Sequence, residues 1–454
     1  MPNRRKSGRA KLLKAYYMVR DRVIKLRASD WLTTTVQPVV VYLIAGYLFA
    51  YGGFFLRPIF LSPQGVMQFP QYIPAADPIG VDFQHHRSNL GAWVLSDPFR
   101  DSTQIPYPPL GYLLPYPLLF VGPQASYMVM TAASTLGFVA ITLILPLLIA
   151  TSIPSGLSVI IFCFLTGLTS YGLQFELERG QFNVVAVALC LLGIYLFHHN
   201  AKLRYIAYVL FSASIQLKLY PCIFVVMLIE DWSLWQCNLR RILSLVCVNV
   251  ALLFALGPSR FWEMQAILTR HMLGNNIWVG NHSVTAFAAL MSRPGLVRQG
   301  LWTGVLRDAW TIQVIVLGIV VTCFLIVWIS SMSRKRVGID GALLLTCTLL
   351  ALVLPSVSHD YTLALLAGPM AIYLCQIADD CEPRNHTAIN LLVLVLSIAY
   401  STTLFSYVYK PAWLGNNLPM LVIILVVVAV MTRYLPGRNV EGVILEESSG
   451  MSAA

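Results

Sequence analysis

The chain has 454 residues, of which 57% are apolar and 11% charged, with a net charge of +11 and a mean hydropathy of +0.70. A soluble globular protein carries about 25% charged residues. This much apolar surface exceeds what one water-soluble core can hide, so lipid must solvate part of it, and a soluble enzyme or binding module is excluded. The positive charge does not mark a nucleic-acid binder. Residues 1–30 hold ten Lys and Arg (Arg4, Arg5, Lys6, Arg9, Lys11, Lys14, Arg20, Arg22, Lys25, Arg27) against Asp21 and Asp30, which is +8 of the +11.

In chain order, the basic segment 1–30 stands beside the first hydrophobic span and keeps the N-terminus cytoplasmic by the positive-inside rule. Leu12, Leu13, Tyr16, Tyr17, Val23 and Ile24 recur at helical spacing between the cations. Residues 10–27 therefore read as an amphipathic helix lying on anionic lipid. The basic region is too long for a cleaved signal peptide, and no small-residue cleavage site follows the span.

A bilayer crossing takes about 20 apolar residues as helix. Such runs occupy 33–55, 125–149, 156–174, 182–198, 205–229, 242–257, 310–332, 339–355, 361–377, 388–408 and 417–434. Residues 107–122 are shorter and contain Pro108, Pro109, Pro115 and Pro117, so they count as a span with a broken start. The expected fold is all-α and polytopic, with about twelve transmembrane helices over residues 31–434. A flexible cytoplasmic tail follows at 435–454. The expected location is the inner (plasma) membrane.

In this orientation Arg240-Arg241 and Arg334-Lys335-Arg336 fall inside, whereas Lys202 and Arg204 fall outside. Two long stretches, 56–107 and 258–309, face outward. The second carries Arg260, Arg270, Arg293, Arg298 and Arg307 against Glu263 and Asp308, a local +3. An anionic ligand such as a phosphate explains that excess, and so does an ordinary solvated loop. The nine cysteines are scattered, form no Cys-x-x-Cys pair and lie mostly in apolar runs. They read as packing residues and predict neither a metal site nor a disulfide framework.

Charged side chains inside apolar spans cost roughly 2.5–3.5 kcal/mol each, so each is a functional candidate. Asp82 lies in the polar first outer loop, in Gly80-Val81-Asp82-Phe83-Gln84-His85-His86, ahead of Tyr107-Pro108-Pro109. Glu176, Glu178, Arg179, Gly180, Gln181 and Asn183 lead into the apolar run 184–197. Lys218 interrupts the run 210–229, and His359-Asp360-Tyr361 separates two runs. Ordinary readings stand beside these: Glu178 and Arg179 pair in a short turn, Lys218 snorkels to an interface, and His359 is an interfacial histidine. Lys218 lies near the middle of its run, which favours a buried partner, either a carboxylate or a lipid phosphate. Pro221 frees backbone carbonyls that only a protein cavity can satisfy. Together these residues describe a polar crevice cut into a helical bundle.

At these positions the chain resembles glycosyltransferase family 87. The resemblance runs through Asp82-Phe83, Asp97-Pro98 and Tyr107-Pro108-Pro109-Leu110. Gly180-Gln181-Phe182-Asn183 is similar to the family's Gly-Gln-x-Asn segment, and Lys218-Leu219-Tyr220-Pro221 to its Lys-x-x-Pro segment. Gly280-Asn281-His282-Ser283 is similar to its Asn-x-Ser loop, and Ser358-His359-Asp360-Tyr361 to its late His-Asp/Ser-Tyr patch. The motifs come in family order over about residues 35–410. His85-His86-Arg87 and the long basic N-terminus depart from the pattern.

The resemblance implies an integral-membrane, GT-C-like transferase that uses a polyprenyl-phosphate sugar and needs no cofactor. Its acceptor would be a hydroxyl of a glycan or glycolipid on the outer face. By resemblance Asp82 is the general base, and a single base with direct displacement inverts the anomeric centre. Lys218, Arg260 and Arg270 are candidates for the donor phosphate. His359 would donate to that phosphate or orient Asp82. Gln181, Asn183, Asn281 and Tyr107 would contact sugar or lipid, and Trp278, beside Asn275-Asn276, would stack on a sugar or isoprenyl chain. No Asp-x-Asp element stands in the outer stretches, so no obligatory divalent metal is expected. Asp360 remains an alternative base. A transporter or flippase of a lipid-linked sugar is the alternative function, although no internal repeat of the kind such proteins show is evident. A ligase or polymerase taking diphosphate-linked glycans and a non-catalytic scaffold are further alternatives.

Overall fold

The computed structural model describes residues 80, 82–88, 107–113, 115–150, 153–168, 170–273, 277, 280–292, 308–333, 338–380 and 416–434. The basic N-terminus, the expected spans 33–55 and 388–408, and the tail 435–454 lie outside the described residues.

The described residues are mostly helical and contain no β-strand. Helix α1 spans Pro123–Ile149, α2 Ile153–Leu168, α3 Tyr171–Arg179, α4 Asn183–His199, α5 Arg204–Leu217 and α6 Trp235–Leu253. Helices α7 (Pro258–Leu273) and α8 (Val284–Met291) follow, then α9 (Ala309–Ser333), α10 (Gly341–Val353), α11 (Ala367–Asp380) and α12 (Leu418–Tyr434). Two stretches of 3₁₀ helix, Tyr220–Leu228 and Asp360–Leu366, interrupt this series.

Among the described residues, four segments are long and apolar enough to cross a membrane: Pro123–Ile149, Trp235–Leu253, Ala309–Ser333 and Asp360–Ile377. The first three present many exposed apolar side chains, whereas Asp360–Ile377 is almost wholly buried. Leu136, Leu148, Leu243, Val250, Val314 and Ile329 are exposed, as expected of surfaces solvated by lipid. At the centre every residue of α10 is buried, so this helix is apolar all round instead of striped. Around it pack α9, α11, α12 and the 220–228 segment.

The course of the chain near Lys218 differs from the single span expected at 205–229. Leu217 ends α5, Lys218 is extended (φ −147°, ψ 136°), and Pro221 stands in the first turn of the 3₁₀ segment. Pro221 has no N–H with which to continue α5, and its ring clashes with the preceding turn. The fourteen residues of α5 cover ~21 Å, and the nine of 220–228 cover ~18 Å. The chain therefore runs out along α5, turns at Lys218 and comes back.

Contacts at the far end confirm the return. Arg204 pairs with Glu230, His198 Nε2 lies 2.7 Å from the Met227 carbonyl, and Arg241 donates to the Leu228 carbonyl at 3.0 Å. The hairpin places Lys202 and Arg204 at the same end of the bundle as Arg240 and Arg241. The expectation that these pairs lie on opposite sides is corrected.

Two further expectations change. Residues 107–122 form no span, because Pro109–Leu113 and Tyr116–Phe120 cover only ~7.5 and ~10 Å. Among its described residues the stretch 258–309 contains the two helices α7 and α8. One of them, α7, turns Phe261, Met264 and Ile267 onto a cluster formed by Phe83, Tyr107, Tyr112 and Phe182.

Helices α4 and α5 approach closely at Gly193, where an added Cβ would fall 2.9 Å from the Ala207 carbonyl oxygen. Gly193→Ala is expected to cost about 1–3 kcal/mol through overpacking and to lower the melting temperature of the detergent-solubilised protein. Gly318→Ala, whose Cβ meets nothing within 4 Å, is expected to leave it unchanged.

Candidate active site

The site is built on the elbow between α3 and α4. Gly180 closes α3 in the left-handed region (φ +68°), and a Cβ there would lie 2.6 Å from Phe83 Cβ. Glycine therefore supplies both the turn and the room that brings residues 82–88 onto the elbow. Glu176 fixes the other side. It is fully buried, with Oε2 accepting from Asn183 Nδ2 at 2.8 Å and Oε1 from the Val184 amide at 3.0 Å. A carboxylate at these amides satisfies the open donors of the first turn of α4 and complements the helix dipole. Asn183 is thus buried within the elbow, and Tyr220 donates to its carbonyl at 3.3 Å.

Gln181 projects from this turn into the centre of the cluster. Its Nε2 donates to Asp82 Oδ2 at 2.6 Å, and its Oε1 accepts from Lys218 Nζ at 3.1 Å and from the Tyr107 hydroxyl at 3.2 Å. Lys218 also donates to the Tyr107 hydroxyl at 3.2 Å and lies 4.4 Å from the centroid of that ring. The Gln181 amide has one orientation that serves both charges, with nitrogen toward the carboxylate and oxygen toward the ammonium. Asp82, Gln181, Lys218 and Tyr107, singled out from separate parts of the sequence, therefore meet in one cluster. Arg179 Nη1 stands 3.7 Å from Asp82 Oδ1. Behind the cluster, His86 stacks on Tyr112 at 4.9 Å and meets Tyr107 and Phe182 edge-on.

A second patch joins residues 281–283 to 356–360. Asn281 is fully buried. Its Oδ1 accepts from the Ser358 and Ser283 amides at 2.9 and 3.2 Å, and its Nδ2 donates to the Ser356 carbonyl at 3.1 Å. His282 Nδ1 faces the Asn417 amide at 3.3 Å, so Nε2 carries the proton toward Asp360 Oδ1 at 2.7 Å, and both side chains are 0% exposed. His359 is half-buried with its ring 5.4 Å from that of Tyr361, which lies 5.8 Å from Phe175. This aromatic line connects the second patch to the wall beside Arg179.

The two candidate bases differ in access. Asp82 is 28% exposed, whereas Asp360 is sealed against His282. Arg260 and Arg270 both bond within α7, to Glu263 at 2.8 Å and to the Ala266 carbonyl at 3.4 Å. Trp278 lies outside the described residues. Sequence reasoning did not assign Arg179 to the site, and it passed over the capping by Glu176 and the His282–Asp360 pair. The left-handed Gly180 directly after Arg179 was the available signal.

Burial, reinforced by the charge of Lys218, pushes the His86 imidazole down to about 3. An unfolded histidine takes its proton near about 6.5. Between those values the unfolded chain binds the extra proton, so stability falls as pH drops through this window. His86→Phe is expected to remove that part of the acid sensitivity in thermal melts of the purified protein across pH 4–7.

A sequence model of glycosyltransferase family 87 matches residues 105–355, more than half of the chain. The matched stretch includes Tyr107, the α3–α4 elbow, Lys218 and Asn281-His282, while Asp82 precedes it and Ser358–Tyr361 follows it. No curated protein and no solved structure matches the chain. With its apolar, lipid-facing helices, the chain belongs to glycosyltransferase family 87 and is a membrane glycosyltransferase.

Proposed function

We propose that the protein is an inverting transferase that moves a hexose or pentose, with mannose the leading candidate, from a polyprenyl-phosphate donor to a hydroxyl of an envelope glycan or glycolipid. The observation that carries this reading is the state of Asp82. It is a partly exposed carboxylate with Oδ2 held by Gln181 at 2.6 Å, and Lys218 is one hydrogen bond further on.

An alcohol of pKa near about 16 attacks an anomeric carbon poorly until its proton is removed, a service typically contributing 10²–10⁴-fold. Asp82 Oδ1 is the oxygen available for that proton. Asp360 is a weaker candidate, because no acceptor reaches a carboxylate that is 0% exposed. As the sugar leaves its phosphate, negative charge grows on the leaving oxygen, and a fixed cation beside the site stabilises it. Lys218, held in place by Gln181 and Tyr107, supports this role better than Arg260 or Arg270, which bond within their own helix. His359 and Tyr361 would flank the same opening.

In the membrane, the end of the bundle bearing Lys202, Arg204, Arg240 and Arg241 is assigned to the cytoplasm by the positive-inside rule. The Asp82 end then faces outward, at the inner (plasma) membrane. The described passes, together with the apolar runs 33–55 and 388–408, support about twelve crossings and a GT-C-like arrangement.

Asp82→Asn is expected to lower kcat by about 10²–10⁴-fold with little change in donor KM. The product of the wild-type enzyme should show the inverted anomeric configuration by NMR. Full turnover in the variant would remove Asp82 as the base.

A further inference from the structure

Arg179 is the cation beside Asp82 that the mechanism above leaves without a task. It ends α3, directly before the left-handed Gly180, and its guanidinium lies 5.1 Å from the centroid of the Phe175 ring. Its Nη1 is 3.7 Å from Asp82 Oδ1, longer than a hydrogen bond. Its Nε is buried without a hydrogen-bond partner among the described residues, while the side chain as a whole is 36% exposed.

The neighbouring cations are committed. Lys218 serves Gln181 and Tyr107 and is already assigned to the charge that grows on the leaving oxygen, Arg260 pairs with Glu263, and Arg87 donates to the Val121 carbonyl at 2.8 Å. A guanidinium acting only as the counter-ion of Asp82 would close to ~2.8 Å and form a fork with the carboxylate. Here Gln181 already holds one carboxylate oxygen, and the fork stays open. A guanidinium supported on one face by an aromatic ring, with donors unfilled on its edge, is shaped for a phosphate.

We propose that Arg179 binds a phosphate group of the substrate at the mouth of the site, beside Asp82. This rests on the transferase reading above and names the residue that receives the substrate's charge. The phosphate has two possible sources, the polyprenyl-phosphate donor and the headgroup of a phospholipid-based acceptor, and both offer the guanidinium the same oxygens.

The test measures equilibrium binding to the full chain in nanodiscs for wild type, Arg179→Gln and Arg179→Lys. Two probe pairs differ only by the phosphate-bearing group: undecaprenyl phosphate against undecaprenol, and phosphatidylinositol against diacylglycerol. The wild type should prefer the phosphate member of one pair by about tenfold or more, the worth of a charge-assisted hydrogen bond. Arg179→Gln should reduce that preference by about tenfold, leaving whatever part Lys218 supplies. Arg179→Lys, which keeps the charge without the fork, should fall between and serves as the working variant if the glutamine form does not fold. Loss in the first pair assigns the donor, and loss in the second assigns the acceptor. An unchanged preference in Arg179→Gln overturns the inference and leaves the lipid-phosphate reading standing. A wild type without preference in either pair overturns both.

Discussion

The structure depends on what Lys218 requires. An ammonium at the tip of a hairpin inside an apolar bundle needs hydrogen-bond acceptors and a counter-charge. Gln181 supplies the first and relays the second, because the same amide that accepts from Lys218 donates to Asp82. The other constraints follow from placing that amide. Gly180 must turn left-handed, Glu176 must hold the start of α4, and Pro221 must stop α5 so that Lys218 comes out of the helix beside the elbow. Tyr107 closes the arrangement by pairing its hydroxyl with both partners and presenting its ring to the ammonium.

Backbone irregularity gathers at the same place. Runs of 3₁₀ helix beyond three or four residues are uncommon, yet two longer ones begin next to the site, nine residues from Tyr220 and seven from Asp360. Each starts directly after a functional candidate, Lys218-Leu219 in one case and His359 in the other. Breaking the α-helical ladder there frees side chains and carbonyls that a continuous membrane helix would bury against lipid. The fully buried α10 packs behind both.

The membrane class and most helices were legible from hydropathy, because a span announces itself through composition alone. The hairpin at Lys218 was not. A largely apolar run of 25 residues at 205–229 has the length of one span, and only Lys218 and Pro221 hinted that it was two. Asp82, Gln181, Lys218 and Tyr107 were legible because each is a polar or proline-flanked residue in an apolar context, where chance placement is expensive. Arg179 was less so: beside Glu178 it reads as half of a surface pair, and its distance from Asp82 exists only once Phe83 packs on Gly180. Asn281 and Asn183 also stood out as polar residues in apolar surroundings; the Asn281 amide bonds backbone groups that tie two loops together, and that of Asn183 donates to the Glu176 carboxylate. Sequence alone does not distinguish an asparagine that binds substrate from one that staples a loop.

The central claim is that Gln181 makes Lys218 and Asp82 one unit. The measurement that tests it most directly is a double-mutant cycle on kcat/KM with Gln181→Leu, Lys218→Met and the double variant. Residues acting as a unit give strongly non-additive losses, so the double variant should be about as impaired as the worse single one. Losses that simply multiply would mean that the two side chains act independently, and would contradict the account.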